Sequence, residues 1–337
     1  MADKKVGPLT QTVRSAGLLL VSAVAAAALT QWVAPDRRVA GGDEFYGMVV
    51  GPQVDVDRAI PKLGALGVNT VRLRMDVKDW GRPAANTGSP AYDGALQQAP
   101  ALERQGFRVV LQVNSEGGAM PSYGQARALF EWLLKRPGGP SVDVVEVLGP
   151  VTEQAANADA FSPTLTRARQ AQRYVDGPLR AAWDVVHGDA RKKVLGGAFT
   201  PWQQAADRRS AGAWTLGVTQ AYIAAGYLDR VDYAGFHPDQ PTAAAQQAWV
   251  RRAAALFGKK PIWVSEWQLT RSAFPDDGSY VDAMGASAVA LHGILGTACY
   301  SGFTQEEGVV PVTQGGLGGY REDDPAFRAY RDWPKSG

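Results

Sequence analysis

The sequence predicts a (β/α)8 barrel, and three observations predict it. After residue 40, short apolar, β-branched runs alternate with amphipathic stretches through about eight units. The runs are apolar throughout, as expected of strands covered on both faces in a parallel sheet. The first run leads into Gly51-Pro-Gln-Val-Asp55, with no G-x-G-x-x-G or Walker loop. An open doubly wound sheet, the alternative architecture, would carry such a phosphate loop there.

Taken in order, the strands are expected at Tyr46–Val50, Thr70–Met75, Arg108–Val113, Val142–Leu148, Lys193–Phe199, Val231–Phe236, Pro261–Ser265 and Gly296–Tyr300, the last being the weakest. Helical patterns lie between them. Val56–Leu66 stops at Gly67, and Gly94–Gln105 stops at Gly106. Tyr123–Lys135 ends before Pro137-Gly-Gly-Pro140. Arg167–His187 is the longest, followed by Thr215–Ala225, Thr242–Phe257 and Asp282–Leu295. No linker or low-complexity tract divides the chain after residue 40, so one domain is expected over 41–337.

Composition removes several classes. The chain has 337 residues, with 35 Lys+Arg against 33 Asp+Glu, so no basic surplus exists to hold nucleic acid phosphates. Its one cysteine, Cys299, can form neither an internal disulfide nor a Cys-rich metal site, and it reads as a small buried hydrophobe. His187 and His292 fall inside helical patterns, so no histidine cluster for a metal is expected, and no cofactor is called for.

Residues 1–40 are set apart. Lys4, Lys5 and Arg14 precede an uncharged, mostly apolar run from Ala16 to Leu29, with small residues after it. That order describes an export signal. A spanning helix needs about 20 apolar residues, so the run is short for one, although Thr30–Ala34 can extend it into an anchor. A secreted, periplasmic or cell-surface location is expected, with membrane association through 16–34 as the alternative to cleavage.

In such a barrel chemistry lies at the C-terminal ends of the strands. Those positions offer Arg72 on the second strand, Asn114 and Glu116 after the third, Glu153 beyond the fourth, Trp202 after the fifth, His237 after the sixth, Glu266 and Trp267 after the seventh, and Phe303 after the eighth. Carboxylates, one Arg, one His and several aromatics suit carbohydrate chemistry. Two carboxyl groups can flank a glycosidic bond, and aromatic faces stack on sugar rings. A nearby cation favours the ionised form of a carboxylate. Glu146 sits mid-strand among valines and is expected to face the barrel interior, in a buried network more readily than in catalysis.

The order of these segments resembles the clan A glycoside hydrolases, retaining (β/α)8 enzymes that include cellulases, β-xylosidases and arabinosidases. Gly67-Val-Asn-Thr-Val-Arg72-Leu with Trp80 resembles the clan's second strand, and Leu195-Gly-Gly-Ala198 its fifth in the β-xylosidase-like branch. His237 is similar to the sixth-strand histidine, and Pro261-Ile-Trp-Val-Ser-Glu266-Trp267 to the seventh-strand nucleophile motif. The resemblance spans roughly residues 44–330. It implies Glu266 as nucleophile, with Arg72 and His237 orienting it. Asn114, Trp202, Trp267 and Phe303 are the expected sugar contacts, with an oligo- or polysaccharide as partner.

One strand departs from the pattern. The clan ends its fourth strand in Asn-Glu, the Glu being the acid/base; here Gly149 and Pro150 stand in those places. Either Glu153 supplies the proton from a rebuilt loop, or the donor is missing and the barrel binds carbohydrate without cleaving it. The sixth strand has Asp239 where the clan has Tyr, and the eighth offers Tyr300 and Phe303 where the clan often has Trp.

Overall fold

A computed structural model describes residues 45–303, apart from 53, 136–141, 150–164, 201–215, 239, 241, 268, 270–272 and 296, together with 328, 331 and 332. The signal or anchor segment, Glu153, Trp202, Asp239 and the Glu306-Glu307 pair therefore lie outside the described residues.

The strands are β1 Phe45–Val50, β2 Thr70–Val77, β3 Arg108–Ser115, β4 Val144–Val147, β5 Lys193–Gly196, β6 Ala234–Gly235, β7 Ile262–Trp263 and β8 Thr297–Phe303. The helices are α1 Val56–Ala65, α2 Pro90–Arg104, α3 Tyr123–Lys135, α4 Arg167–Tyr174, α5 Arg180–Val186, α6 Leu216–Ala224, α7 Ala243–Phe257 and α8 Asp277–Leu295. Every strand pair is parallel, in the spatial order β5-β4-β3-β2-β1-β8. Bridges Leu195↔Tyr233 and Phe199↔Phe236 carry the order from β5 to β6, and β6 pairs with β7. Among the described residues no ladder joins β7 to β8, so the ring is not closed by hydrogen bonds there. The structure shows a parallel α/β sheet rather than a completed barrel.

Side chains on successive strand residues point to opposite faces. Met48, Val50, Leu73, Leu111 and Val145 join the main core beneath the helices, with Phe130 and Leu133 of α3 and Leu102 of α2. The alternate positions form a second, separate cluster: Val49, Val110, Val144, Leu195, Tyr233 and Trp263, one from each of six segments in the strand order. Tyr233 and Trp263 stack there with centroids 4.1 Å apart. This apolar plug is the floor on which the polar site stands.

Three helices depart from expectation. The second helix starts at Pro90, not Gly94. Ser89-Pro90 supplies the start, since proline at the first position loses no bond. Gly94 lies inside the helix because a Cβ there would run into the Pro52 carbonyl. The long fourth helix is broken between α4 and α5 by a π-type turn, Val175–Leu179, at Gly177-Pro178. Pro178 has no N–H to donate, and Gly177 leaves helical geometry (φ −90°, ψ −110°). The last helix begins at Asp277, five residues earlier than the apolar pattern suggested. Its first turn is anchored by Asp276, whose carboxylate accepts from Ser279 N at 2.8 Å.

The N-terminal strand ends are held by polar anchors. Asp143 accepts from Val109 N at 2.8 Å and Asp232 from Val194 N at 2.7 Å. His187 pairs with Asp232 at 3.2 Å, which places it at the end of the sheet opposite the site described next.

Candidate active site

The inward face of β2 runs Thr70, Arg72, Arg74 and Asp76, while Val71, Leu73, Met75 and Val77 face the helices. Arg72 is therefore carried onto the sheet's inward face, in register with Val49 and Val110 of the apolar plug, and only 2% of its side chain is exposed. A buried guanidinium is costly unless its donors are met. They are met by two carboxylates. Arg72 donates from Nε to Glu146 Oε2 at 2.6 Å and from Nη2 to Glu146 Oε1 at 3.1 Å. Its Nη1 donates to Glu266 Oε2 at 3.1 Å. The fork to Glu146 is bidentate, the strongest geometry an Arg–carboxylate pair adopts.

Glu146 lies on the inward face of β4, in register with Gln112 of β3, and has no exposed surface. Glu266 follows β7, and 32% of its side chain is exposed. Thus the two carboxylates on one arginine differ in access: one is sealed, the other meets solvent.

A third chain of bonds reaches Glu146 from the far side. Ser265 Oγ donates to Glu146 Oε1 at 3.1 Å, and His237 Nε2 lies 2.9 Å from the same Oγ. An ionised carboxylate only accepts, so the serine proton is committed to Glu146. His237 must then donate through Nε2–H, which fixes its tautomer. Burial holds the His237 imidazole below its ordinary pKa. Arg72 adds to this, while Glu266 and Glu146 act against it. With its pKa held below 6.5 the ring is neutral at pH 7, and its one proton then sits on Nε2.

The end of β4 is irregular. Leu148 has φ +52°, the left-handed region, rare for a leucine. Its amide donates to Val113 O at 2.9 Å, and Gly149 N donates to Asn114 Oδ1 at 3.0 Å. A Cβ on Gly149 would run into the Gln112 amide. Strand 4 is thus turned out of the sheet immediately before Pro150. Such strain persists only where the surroundings enforce it, and it clusters at functional sites. Behind this corner Tyr174 Oη donates to Val147 O at 2.7 Å and accepts from Gly197 N at 2.8 Å, tying strands 4 and 5 together. Burial raises the Tyr174 phenol well above its usual range, so it stays protonated.

Of the expected site residues, the structure brings Glu266, Arg72 and His237 into one network, the last through Ser265. Asn114 lies at the C-terminal end of β3, in register with Asp76, and its side-chain oxygen is engaged by the β4 corner. Trp267 departs from expectation: it is fully buried among the helix-side core residues and offers no face to a sugar. Core burial is the commoner fate of so large an apolar ring. Phe303 ends β8, where its backbone pairs with Val50. Glu116 is exposed, on the turn Glu116–Gly118. Glu153 and Trp202 lie outside the described residues. Sequence reasoning missed Ser265, whose signal was a hydroxyl two residues after Trp263, on the inward alternation. Among the described residues no group of three or more His, Cys, Asp or Glu can hold a metal ion.

No protein-family model matches the chain, and no curated protein matches it. Solved structures do. A GH128 (subgroup II) endo-β-1,3-glucanase from Sorangium cellulosum matches with TM-score 0.51 at 16% identity, over 88% of this chain and 99% of that one. A family 39 glycoside hydrolase from Bacteroides cellulosilyticus matches with TM-score 0.51 at 14% identity, over 85% and 62%. A β-glucuronidase from Bacteroides uniformis matches with TM-score 0.56 at 10% identity; this chain covers only 35% of its length. At these identities the likeness is one of fold: the chain resembles these glycoside hydrolases in the course of its backbone.

Proposed function

We propose that this chain is an exported glycoside hydrolase of the retaining type, acting on a carbohydrate with Glu266 as nucleophile. The observation that carries the reading is the pairing of a solvent-reached carboxylate at the end of β7 with a buried, doubly anchored Arg72. Arg72 keeps Glu266 ionised and aimed, and its own position is over-determined by Glu146. In the proposed reaction a Glu266 oxygen bonds to the anomeric carbon as the bond to the leaving oxygen breaks. A carboxylic acid, assigned to Glu153, gives that oxygen its proton. The same group then takes a proton from water, which attacks the anomeric carbon and releases Glu266. The proposal includes closure of the eight strands into a ring within 41–337, and removal of 1–40 as a signal or its retention as an anchor through 16–34.

Retaining carboxyl pairs stand about 5–5.5 Å apart and inverting pairs about 6.5–9.5 Å apart, so the anomer released first reports the geometry. Glu266→Gln abolishes hydrolysis on this account and leaves the folded state intact; full turnover in that variant on the best glycan would end the assignment. Pro150 at the acid position favours a second reading, a barrel that binds glycans without cleaving them. A glycan array beside a hydrolysis screen separates the two: binding with no cleavage of any bound glycan selects the second.

A further inference from the structure

The site holds a charge that the proposed hydrolysis does not call for. Glu146 is sealed from solvent, so it cannot meet a glycosidic oxygen or exchange a proton with water. Yet of the three bonds from Arg72 to carboxylates among the described residues it takes two, including the shortest at 2.6 Å. It is also the acceptor on which the Ser265 hydroxyl, and through it His237, converge.

We propose that Glu146 is a positioning residue for Glu266: it clamps Arg72 by the bidentate fork and shares its charge, so that Arg72 aims the nucleophile without suppressing its basicity in full. The inference rests on Glu266 as nucleophile. Its physics is a three-charge chain, sealed carboxylate, guanidinium, accessible carboxylate. An unshared guanidinium at 3.1 Å would hold the Glu266 anion too comfortably, since a carboxylate loses nucleophilicity as its proton affinity falls. A second anion on the same guanidinium offsets part of that attraction. It also fixes the plane of the fork, leaving Nη1 directed at Glu266. The remaining described groups do not replace this role. His237, after β6, is neutral and is spent on Ser265. Arg74 and Asp76, higher on β2, pair with each other at 3.0 Å.

The test is a carboxyl titration of the full chain carrying 13C-labelled glutamate, the Glu266 signal being assigned by its loss in Glu266→Gln. It needs no substrate. In Glu146→Gln the Glu266 midpoint is expected to fall by about one pH unit, because the competing anion is gone. A midpoint that stays put or rises overturns the proposal: it would mean that Glu146 only fills space and that Arg72 lets go of Glu266 when its packing loosens. Should that variant not fold, the native protein decides. The Arg72 Nε–H signal is expected to stay constant through the Glu266 midpoint, because Glu146 keeps its grip; an Nε–H signal moving in step with Glu266 overturns the clamp. These outcomes stand apart from hydrolysis. A lowered midpoint in a protein that cleaves no glycan would uphold the charge sharing and remove the nucleophile reading alone.

Discussion

Arg72 is the residue on which the site's geometry turns, because it bonds to carboxylates from two strands that are not neighbours. Removing one partner of a buried pair strands the other, at a cost of about 3–5 kcal/mol. Arg72→Met is therefore expected to lower the unfolding free energy by about that much in denaturant titration, through the orphaned Glu146. Arg72→Lys keeps a charge but loses the planar fork, and should recover stability only in part. His237 gives a pH signature. Its folded-state pKa is held below the ordinary 6.5, so the unfolded chain binds the proton more readily. The associated stability is present above that value and is lost as pH falls toward the lowered one. The melting temperature of the native protein should drop on acidification below 6.5, and His237→Gln should flatten that drop. Arg72 and Glu266 were legible in the sequence because a charge in or beside an apolar strand needs a reason. Glu146 was legible as an interior residue, but its partner was not, since pairing across strands depends on register. Ser265 was illegible: a serine beside a glutamate carries no signal until the alternation of β7 is known.

At the scale of elements, glycines separate what packing demands from what a helix merely tolerates. A Cβ on Gly196 of β5 would collide with the Tyr227 ring. Gly196→Ala should destabilise by about 2–3 kcal/mol in thermal or denaturant unfolding. Gly64, in α1, has nothing within 4 Å of where a Cβ would stand. Gly64→Ala should stabilise by about 0.5–1 kcal/mol, the opposite sign for the same substitution. The loop between β2 and α2 turns on Asn86, which accepts from Lys78 N and Asp79 N and donates to Asp79 O and Pro83 O. Asn86→Ala should cost about 2–3 kcal/mol by leaving buried backbone groups unmet. The helices were readable wherever an apolar stripe coincided with a start or stop residue, as in α3. Reading failed where two signals competed. Gly177-Pro178 stood inside a periodic pattern that ran through it, and Gly94 looked like a boundary when its reason was close approach to Pro52.

For the whole molecule, the alternation of strand and helix was the strongest signal, since strands such as β3 and β4 are buried on both faces and so read as blocks. From β1 to β5 the parallel order follows chain order, as strand–helix–strand connections between neighbours give, and β8 lies beside β1. The apolar plug was harder to read. Its members, such as Val49 and Val110, look like any other strand valine, and only register separates them from the helix-side core. Glu146 and Ser265 stand one inward position beyond Val144 and Trp263 of that plug, toward the C-terminal strand ends, where Glu266 meets solvent. The central claim, that Glu266 is the attacking carboxylate, is tested most directly by trapping its adduct. The protein would be incubated with activated 2-deoxy-2-fluoroglycosides, digested, and its peptides weighed. The account predicts one glycosyl adduct, on the peptide that carries Glu266. A label on a different carboxylate, or no label from the 2-fluoro analogue of a glycoside that the protein hydrolyses, would contradict it.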